Sequence, residues 1–455
     1  MVFNDKYGRF IEDYKNFLSI SSISSDSAYK KDIYKAADWL KSYLIEVGFN
    51  NAKLLETDRY PVVYAQNLNA GSSAPTILVY GHYDVQPPDP IEEWKTDPFD
   101  AHVEDQLIYA RGASDMKGQI MIALAAIQSV NAIGKLPVNI KCFIEGEEEI
   151  GSPSIENFLK SHQELLKAAF VLNLDAGMLN QNTPTIVYGL RGLAYFELII
   201  KGPAHDLHSG LFGGIIYNPA QALCEIIAGM KDKNGKITLP GYYDSVVPIS
   251  EEEKQQLSKL NLGDEYYLEQ TGSRAIWGEQ GYTSVERIGA RPTLDINGIL
   301  AGYTGEGPKT VIPATALAKI SMRLVPNQTP EIVHEQLLDY LEKNAPSQIH
   351  WELKRLASDP ACLVDPNHYA AKCFGQALYD TWGQTPILKR EGGSIPIVSH
   401  MKNILGLDTV LSGFGLPEDR IHSPNERMHL PTWKKGVEAV IRFINYLNDF
   451  YVKES

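Results

Sequence analysis

The chain lacks the features of several protein classes. Its 455 residues include only four cysteines, none of them in a CxxC pair, which excludes a disulfide scaffold and a cysteine-based zinc module. No run of about 18 apolar residues occurs, which excludes a membrane-spanning helix. Acidic residues at positions 5, 12 and 13 interrupt the first twenty residues, so no signal peptide is expected. The sequence therefore predicts a soluble, cytoplasmic protein with reduced cysteines.

The chain also lacks an excess of positive charge. Lys and Arg number 42 against 56 Asp and Glu, a formal net charge of −14, and no basic block occurs. Binding to nucleic acid or to an anionic membrane needs clustered basic residues, so neither partner is expected. The length predicts two or three domains at roughly 100–200 residues each.

Short apolar runs that alternate with helical patterns dominate most of the chain. The runs TILVY (76–80), NIKCFI (139–144) and FVLNL (170–174) read as strands, and KGQIMIALAAIQSV (117–130) reads as a helix between the first two. A further helix is predicted over 431–450. Strands that alternate with helices are typical of an α/β domain with a mainly parallel sheet flanked by helices.

A different pattern fills the middle of the chain. Residues 188–358 contain elements in the order strand, helix, strand, strand, helix, strand, which is the ferredoxin-like α+β pattern. This predicts an inserted domain over 188–358 that interrupts a discontinuous α/β domain over 1–187 and 359–455. The segment 232–290 is polar and rich in Gly and Tyr, and its role is left open.

Acidic residues and histidines follow several of the predicted strands. The carboxyl ends of parallel strands meet at one edge of a sheet, where ligands bind. Imidazole and carboxylate are the groups that bind zinc and similar divalent cations. The candidates at this edge are His82, Asp84, Asp115, Glu147, Glu148, Glu149, Asp175 and His422.

Each of these residues taken singly also has a structural explanation. A run of glutamates is commonly a solvated loop, and an Asp such as Asp175 at a strand end commonly caps a helix. Their joint occurrence at matching strand ends favours a metal site. Asp84 follows His82 by two residues, so in extended backbone both side chains lie on one side and Asp84 could orient the histidine ring.

Six motifs resemble those of a known enzyme family along essentially the whole chain. They are GHYDVQP (81–87), RGASDMKG (111–118), EGEEEIGS (145–152), LDAG (174–177), DLHSG (206–210) and IHSPNE (421–426). The sequence resembles the di-zinc exopeptidase and deacylase family that contains carnosine dipeptidases, glutamate-releasing carboxypeptidases, aminoacylases and succinyl-diaminopimelate desuccinylases.

The resemblance implies a role for each candidate ligand. His82 and Asp175 would bind one zinc ion, Glu148 and His422 would bind a second, and Asp115 would bridge both. Glu147 would be the general base, and Asp84 would support His82. The resemblance also implies a cis peptide bond after Asp115.

The inserted domain would act as a lid and dimerisation domain. By resemblance, His208 reaches the active site of the other subunit of a homodimer and stabilises the oxyanion. Arg323 would bind the terminal carboxylate of the substrate. Thr310, Ser394 and His422 would also contact the substrate.

The substrate class follows from weaker signals. GHYDVQP, REGGSIP (390–396) and the long segment 232–290 resemble the dipeptidase branch, so the expected reaction is hydrolysis of dipeptides or short peptides. An N-acyl-amino-acid deacylase or desuccinylase is the alternative, and a non-catalytic peptide-binding homologue is a remote one. Two divalent cations are expected, zinc first, with manganese or cobalt left open.

Overall fold

A computed structural model describes residues 2–393 and 395–454 and divides the chain into two compact units. The first unit contains the described residues of Met1–Tyr188, Val364–Lys389 and Pro396–Ser455, and the second those of Gly189–Leu363 and Arg390–Ile395. The sequence-based boundaries assigned 359–363 and 390–395 to the first domain, whereas the structure groups residues 359–363 and the described residues of 390–395 with the second unit. The catalytic and lid roles of the two domains stay predictions.

The first unit is built on a twisted sheet whose centre is parallel. Its strands lie in the order Lys53–Leu55, Val62–Asn67, Asn139–Glu145, Thr76–His82, Phe170–Asn173, Thr409–Leu411 and Thr185–Leu190, the last of which runs on into the second unit. The Thr76–His82 strand pairs in parallel with both neighbours, while the strands at the margins are antiparallel. The predicted α/β class with a mainly parallel sheet is confirmed.

Helices cover this sheet. They are Val2–Leu18, Lys30–Val47, Lys117–Asn131, Ile155–Ser161, Gln163–Leu166, Tyr369–Trp382, Pro396–Leu405 and Leu430–Glu454. The helix Lys117–Asn131 is buried on nearly every side, because the first and the last of these helices also pack against it. Such a helix is rigid, so the loop that leads into it is well placed to carry functional groups.

A small antiparallel sheet ties two distant loops of the first unit together. It consists of His102–Glu104, Leu107–Tyr109 and Arg427–His429. The pairing of Arg427 with Tyr109 brings the segment before residue 427 next to the segment after residue 109. Single 3-10 turns occur at Ser27–Tyr29, Ile91–Glu93, Glu148–Ile150 and Pro417–Asp419.

The second unit contains the predicted ferredoxin-like pattern. Its antiparallel sheet has the strand order Thr293–Ala301, Thr315–Leu324, Gly192–Lys201 and His350–Asp359. The helices Pro219–Gly229 and Pro330–Asn344 pack on this sheet and share a hydrophobic core with it. Asn218 and Thr329 cap these helices and a proline follows each cap, the arrangement expected at helix starts.

The segment 232–290 is more regular than its composition indicates. It contains the helices Glu251–Ser258, Asp264–Thr271 and Ser284–Ala290. The remaining short elements are Leu207–His208, Ser209–Phe212, Val311–Ile312, Cys362–Leu363 and Ile387–Glu391. None of the described helices is long and apolar enough to cross a lipid bilayer.

Candidate metal centre

Two groups of potential metal ligands in the first unit share one carboxylate. One group is His82, Asp115 and Asp175, and the other is Asp115, Glu149 and His422. Within each group the ligand atoms lie within 4.8 Å of one another. A carboxylate common to two such groups is the arrangement that a two-metal site requires.

His82 lies at the end of its strand and is fully buried. Its Nδ1 is 3.1 Å from the backbone carbonyl oxygen of Asp84, to which an Nδ1–H donates. That tautomer leaves Nε2 as the free acceptor nitrogen. Nε2 is 3.1 Å from Asp115 Oδ1 and 3.8 Å from Asp175 Oδ2, so the ring is aimed at the cluster.

The carboxylate of Asp84 is also buried and organises the glutamate segment. It accepts hydrogen bonds from the backbone N–H groups of Glu148 and Glu149, at 3.2 and 3.1 Å. Its Oδ1 is 3.4 Å from His82 Nδ1. The carboxylate of Asp84 therefore holds the turn that follows the neighbouring strand and lies beside the His82 ring.

Asp115 occupies the loop before the central helix, and the peptide bond that follows it is cis, as expected. The backbone N–H of Asp115 donates to Glu426 Oε1 at 3.0 Å. Glu426 also accepts from the N–H groups of Gly112 and Ser114. Its charge is met by Arg111 at 2.7 Å, and both side chains are buried. The loop is thus held by one buried carboxylate.

The three consecutive glutamates have different surroundings. They begin a 3-10 turn, in which successive side chains point about 120° apart because each turn takes three residues. They therefore cannot all face one pocket. Glu147 is buried and accepts from Ser154 Oγ at 3.1 Å, away from the two ligand groups, whereas Glu149 Oε2 is 3.2 Å from His422 Nε2.

This geometry favours a register one residue later for two sequence assignments. Glu148 was expected to be the metal ligand beside His422, but Glu149 is the glutamate in that group. Glu147 was expected to be the general base, but Glu148 faces the cluster, with Oε2 3.9 Å from His82 Nε2. The reason is the 3-10 turn, whose orientation the letters EEE do not reveal.

Burial makes the acidic groups of the cluster costly to ionise. Burial raises the pKa of Asp175 to about 7, and the charge of Asp115 adds to this. Burial likewise raises the pKa of Glu148 well above its usual value, and that of Glu149 is also raised. Crowded buried carboxylates either bind protons or need a cation.

His422 completes the second group from an exposed loop. Its backbone has φ 63°, and its side chain is 51% exposed. Nε2 lies 2.9 Å from Asp115 Oδ2. Hydrogen bonds with Asp115 and Glu149 raise the pKa of His422 to about 10.

The donor set fits divalent cations. Two imidazole nitrogens and three carboxylates supply the N and O ligands that zinc, manganese and cobalt accept. Bound dications would also offset the burial and the mutual repulsion that raise the carboxylate pKa values. The residues of the first unit therefore suit two divalent cations that share Asp115.

The other predicted site residues lie in the second unit, apart from Ser394, which lies outside the described residues. His208 is exposed, and its Nδ1 accepts from the N–H of Gly210 at 2.9 Å. The strand pair Leu207–His208 and Val311–Ile312 brings Thr310 next to Ser209, whose N–H donates to the Thr310 carbonyl. Arg323 is the last residue but one of the strand Thr315–Leu324 and lines a cavity of this unit.

Sequence reasoning missed three supporting residues. Glu149 was noted in the glutamate run but given no role. Glu426 lies in the motif IHSPNE, four residues after the predicted ligand His422. That position of a carboxylate is the sequence feature that could have indicated its role. Gln86 donates to Glu149 Oε2 at 2.8 Å, and nothing in the spacing of GHYDVQP indicates that contact.

Comparisons with known proteins agree with this geometry. Residues 78–446 match the profile of peptidase family M20/M25/M40. The chain is 32% identical to the Cys-Gly metallodipeptidase DUG1 of Candida albicans, over 96% of this chain and 94% of that protein. It is 30% identical to human Beta-Ala-His dipeptidase, over 95% of this chain and 89% of the other.

A solved structure is similar over nearly the full length. It is the M20 family metallo-carboxypeptidase Sso-CP2 from Sulfolobus solfataricus, with 32% identity and a TM-score of 0.86. The alignment covers 97% of this chain and 99% of that one. Crystallised human carnosine dipeptidase 1 has a TM-score of 0.81 at 28% identity, over 98% of this chain and 97% of that one.

Proposed function

The chain belongs to peptidase family M20/M25/M40, and on that basis we propose that it is a metal-dependent dipeptidase. The observation that carries the proposal is the pair of ligand groups that share Asp115. The relatives named as Cys-Gly and Beta-Ala-His dipeptidases support dipeptides as the substrate class.

We assign the ligands as two sets. His82 and Asp175 would hold one divalent cation, Glu149 and His422 would hold the other, and Asp115 belongs to both sets. Zinc is the proposed metal. When bound, such cations lower the pKa of a coordinated water towards about 7 and polarise the substrate carbonyl.

Glu148 is the proposed general base. Burial raises its pKa well above the usual range, which suits a group that must both accept and release a proton near neutral pH. Glu148 takes a proton from the attacking water and gives it to the leaving amine nitrogen. Asp84 fixes the backbone of Glu148 and so holds the carboxylate in place.

Most of the proposed substrate contacts come from the second unit, and His422 comes from the first. The guanidinium of Arg323 binds the terminal carboxylate, for which its planar fork is suited. Thr310, His422 and Ser394 contact the peptide, and His208 donates to the oxyanion that forms on the carbonyl oxygen.

A homodimer in which His208 acts on the active site of the partner subunit is part of the proposal. Apolar side chains next to His208 support it, because Leu211 and Ile215 are 72% and 73% exposed. Exposed apolar patches of this kind mark protein interfaces. The cytoplasmic location expected from the sequence stays a prediction.

A substrate panel tests the proposed function. The purified enzyme, loaded with zinc or manganese, is assayed on Cys-Gly, β-Ala-His and Ala-Ala, on Ala-Ala-Ala, and on N-acetyl and N-succinyl amino acids, with and without chelator. We expect metal-dependent hydrolysis of the free dipeptides. Activity on the acylated amino acids alone would instead establish the deacylase alternative. No hydrolysis of any compound, with or without added metal, would favour a non-catalytic homologue.

A further inference from the structure

The second unit contains a cavity of which the proposed function uses one residue, Arg323. Its volume is about 480 Å³, within the roughly 300–1,000 Å³ typical of small-molecule sites. Arg323 lines it together with Arg191, and the segment 232–290 contributes Trp277 and Arg287. The segment whose role the sequence left open therefore forms part of a wall around the proposed carboxylate-binding arginine.

The wall of this cavity carries an excess of positive charge, although the chain as a whole has a net charge of −14. Five basic and two acidic residues line it, namely Arg191, Lys231, Arg287, Arg291 and Arg323 against Glu279 and Asp295. Glu279 is already used, because Arg291 binds it through two hydrogen bonds of 2.8 and 2.7 Å. Asp295, which accepts a hydrogen bond from Thr293, remains against Arg191, Lys231, Arg287 and Arg323. The rest of the wall therefore has a net positive charge and suits an anionic ligand.

Arg191 is buried and forms no ion pair with a carboxylate among the residues that the structure describes, although the charges of Asp295 and Glu391 act on it from a greater distance. Its guanidinium donates to the backbone carbonyl oxygens of Gly392, Arg287 and Arg291, which are neutral acceptors. Burial, and then the charge of Arg323, lower the pKa of Arg191 to about 10. Two neighbouring cations in a partly dry cavity are stabilised when an anion binds.

Lys231 and Arg287 complete the polar part of the wall beside an apolar surface. The ammonium group of Lys231 lies 4.8 Å from the centre of the Trp277 ring, a cation–π contact that holds it in position. Arg287 donates to the carbonyl oxygen of Glu279, again a neutral acceptor. In the described part of the chain, neither forms an ion pair with a carboxylate. A side chain with a short methylene stem and a carboxylate suits this combination.

We propose that this cavity holds the C-terminal residue of the peptide substrate and favours an acidic side chain there. The inference rests on the proposed function, which assigns the terminal carboxylate to Arg323. When Arg323 binds the terminal carboxylate, Lys231 and Arg287 can bind a second carboxylate, that of the side chain. The segment 232–290 is then a specificity element.

Neutral isosteres provide the test. The zinc-loaded full chain is assayed on Ala-Glu, Ala-Gln, Ala-Asp and Ala-Asn, and kcat/KM is measured for each. We expect each acidic dipeptide to be preferred over its amide at least tenfold. Lys231→Met keeps the stem over Trp277 but removes the charge, and it should lower the Ala-Glu to Ala-Gln ratio at least fivefold. Lys233→Met, at an exposed position two residues along the chain and outside the cavity lining, is the matched control and should keep the ratio.

The outcomes separate the two proposals. Hydrolysis of all four dipeptides with wild-type ratios within twofold would overturn this inference and leave the dipeptidase proposal standing. A strong acid preference that Lys231→Met leaves intact would overturn the assignment of the preference to this cavity. Absence of hydrolysis of any dipeptide, including Cys-Gly, would overturn both. Because the wild-type ratio is measured first, the test does not depend on the folding of a variant.

Discussion

The carboxylate of Glu426 accepts a hydrogen bond from the backbone N–H of Asp115, the residue shared by both ligand groups. These residues are 311 positions apart in the chain. The short strand Arg427–His429, paired with Leu107–Tyr109, brings them together. Glu426 acts on the metal centre through the backbone, so it is a positioning residue.

Replacement of this carboxylate tests that role. Glu426→Gln removes the partner of Arg111 and turns one acceptor oxygen into a donor that faces backbone N–H groups. We expect the free energy of unfolding to fall by about 3–5 kcal/mol, since one member of a buried ion pair is lost. Metal affinity should fall about 10–100-fold. Chemical denaturation and metal titration measure both, and Glu418→Gln, at an exposed position in the same region, should change neither.

The register of the glutamate turn gives a second prediction. Glu149→Gln should lower the metal content of the loaded enzyme by about one ion per chain, because Glu149 is in the ligand group with His422. Glu147→Gln should retain both metals, because its neighbour is Ser154. Elemental analysis of dialysed protein decides the matter. Full metal content in Glu149→Gln, with loss in Glu147→Gln, would contradict the assignment.

The base assignment predicts a different phenotype at the position between them. Glu148→Gln should keep its metals and lose about 10²–10⁴-fold in kcat, the range for a general acid–base group. Glu147→Gln should lose far less. If Glu147→Gln proves the inactive variant while Glu148→Gln is nearly normal, the base is Glu147. Steady-state kinetics on a dipeptide, together with metal analysis, make the distinction.

Close packing beneath the metal centre gives a fourth prediction. A Cβ at Gly118 would collide with the carbonyl oxygen of Ala113 and the hydroxyl of Tyr14, so Gly118→Ala must displace the loop that carries Asp115. We expect the free energy of unfolding to fall by about 1–3 kcal/mol from overpacking, with a matching loss of metal affinity. Gly134→Ala is the control, because a Cβ there meets nothing within 4 Å. Equal behaviour of the two variants would refute the packing argument.

The metal-centre residues at strand ends could be predicted from the sequence. His82 and Asp175 directly follow apolar runs, and parallel strands end at one edge. Asp115 precedes a strongly apolar helix whose start is easy to locate. Local pattern and tertiary position agree at these residues, so the structure brings them together.

The remaining features depend on contacts that no local pattern encodes. The orientation of Glu147, Glu148 and Glu149 is set by the hydrogen bonds of Asp84 to the following turn. The resulting geometry favours Glu149 over the expected Glu148 as the ligand. The helices Glu251–Ser258 and Asp264–Thr271 bury one residue and none, so their sequences show no apolar periodicity. The grouping of 390–395 with the second unit involves a contact of Arg191 with Gly392 across 201 positions.

A metal titration of the metal-free enzyme tests the central claim most directly. Dipeptide hydrolysis is followed while zinc or manganese is added in known amounts to the chelator-treated chain. Two cations that share Asp115 predict no activity without metal and a rise that levels off at two equivalents per chain. Activity that persists without metal, or that levels off at one equivalent, would contradict the two-metal dipeptidase.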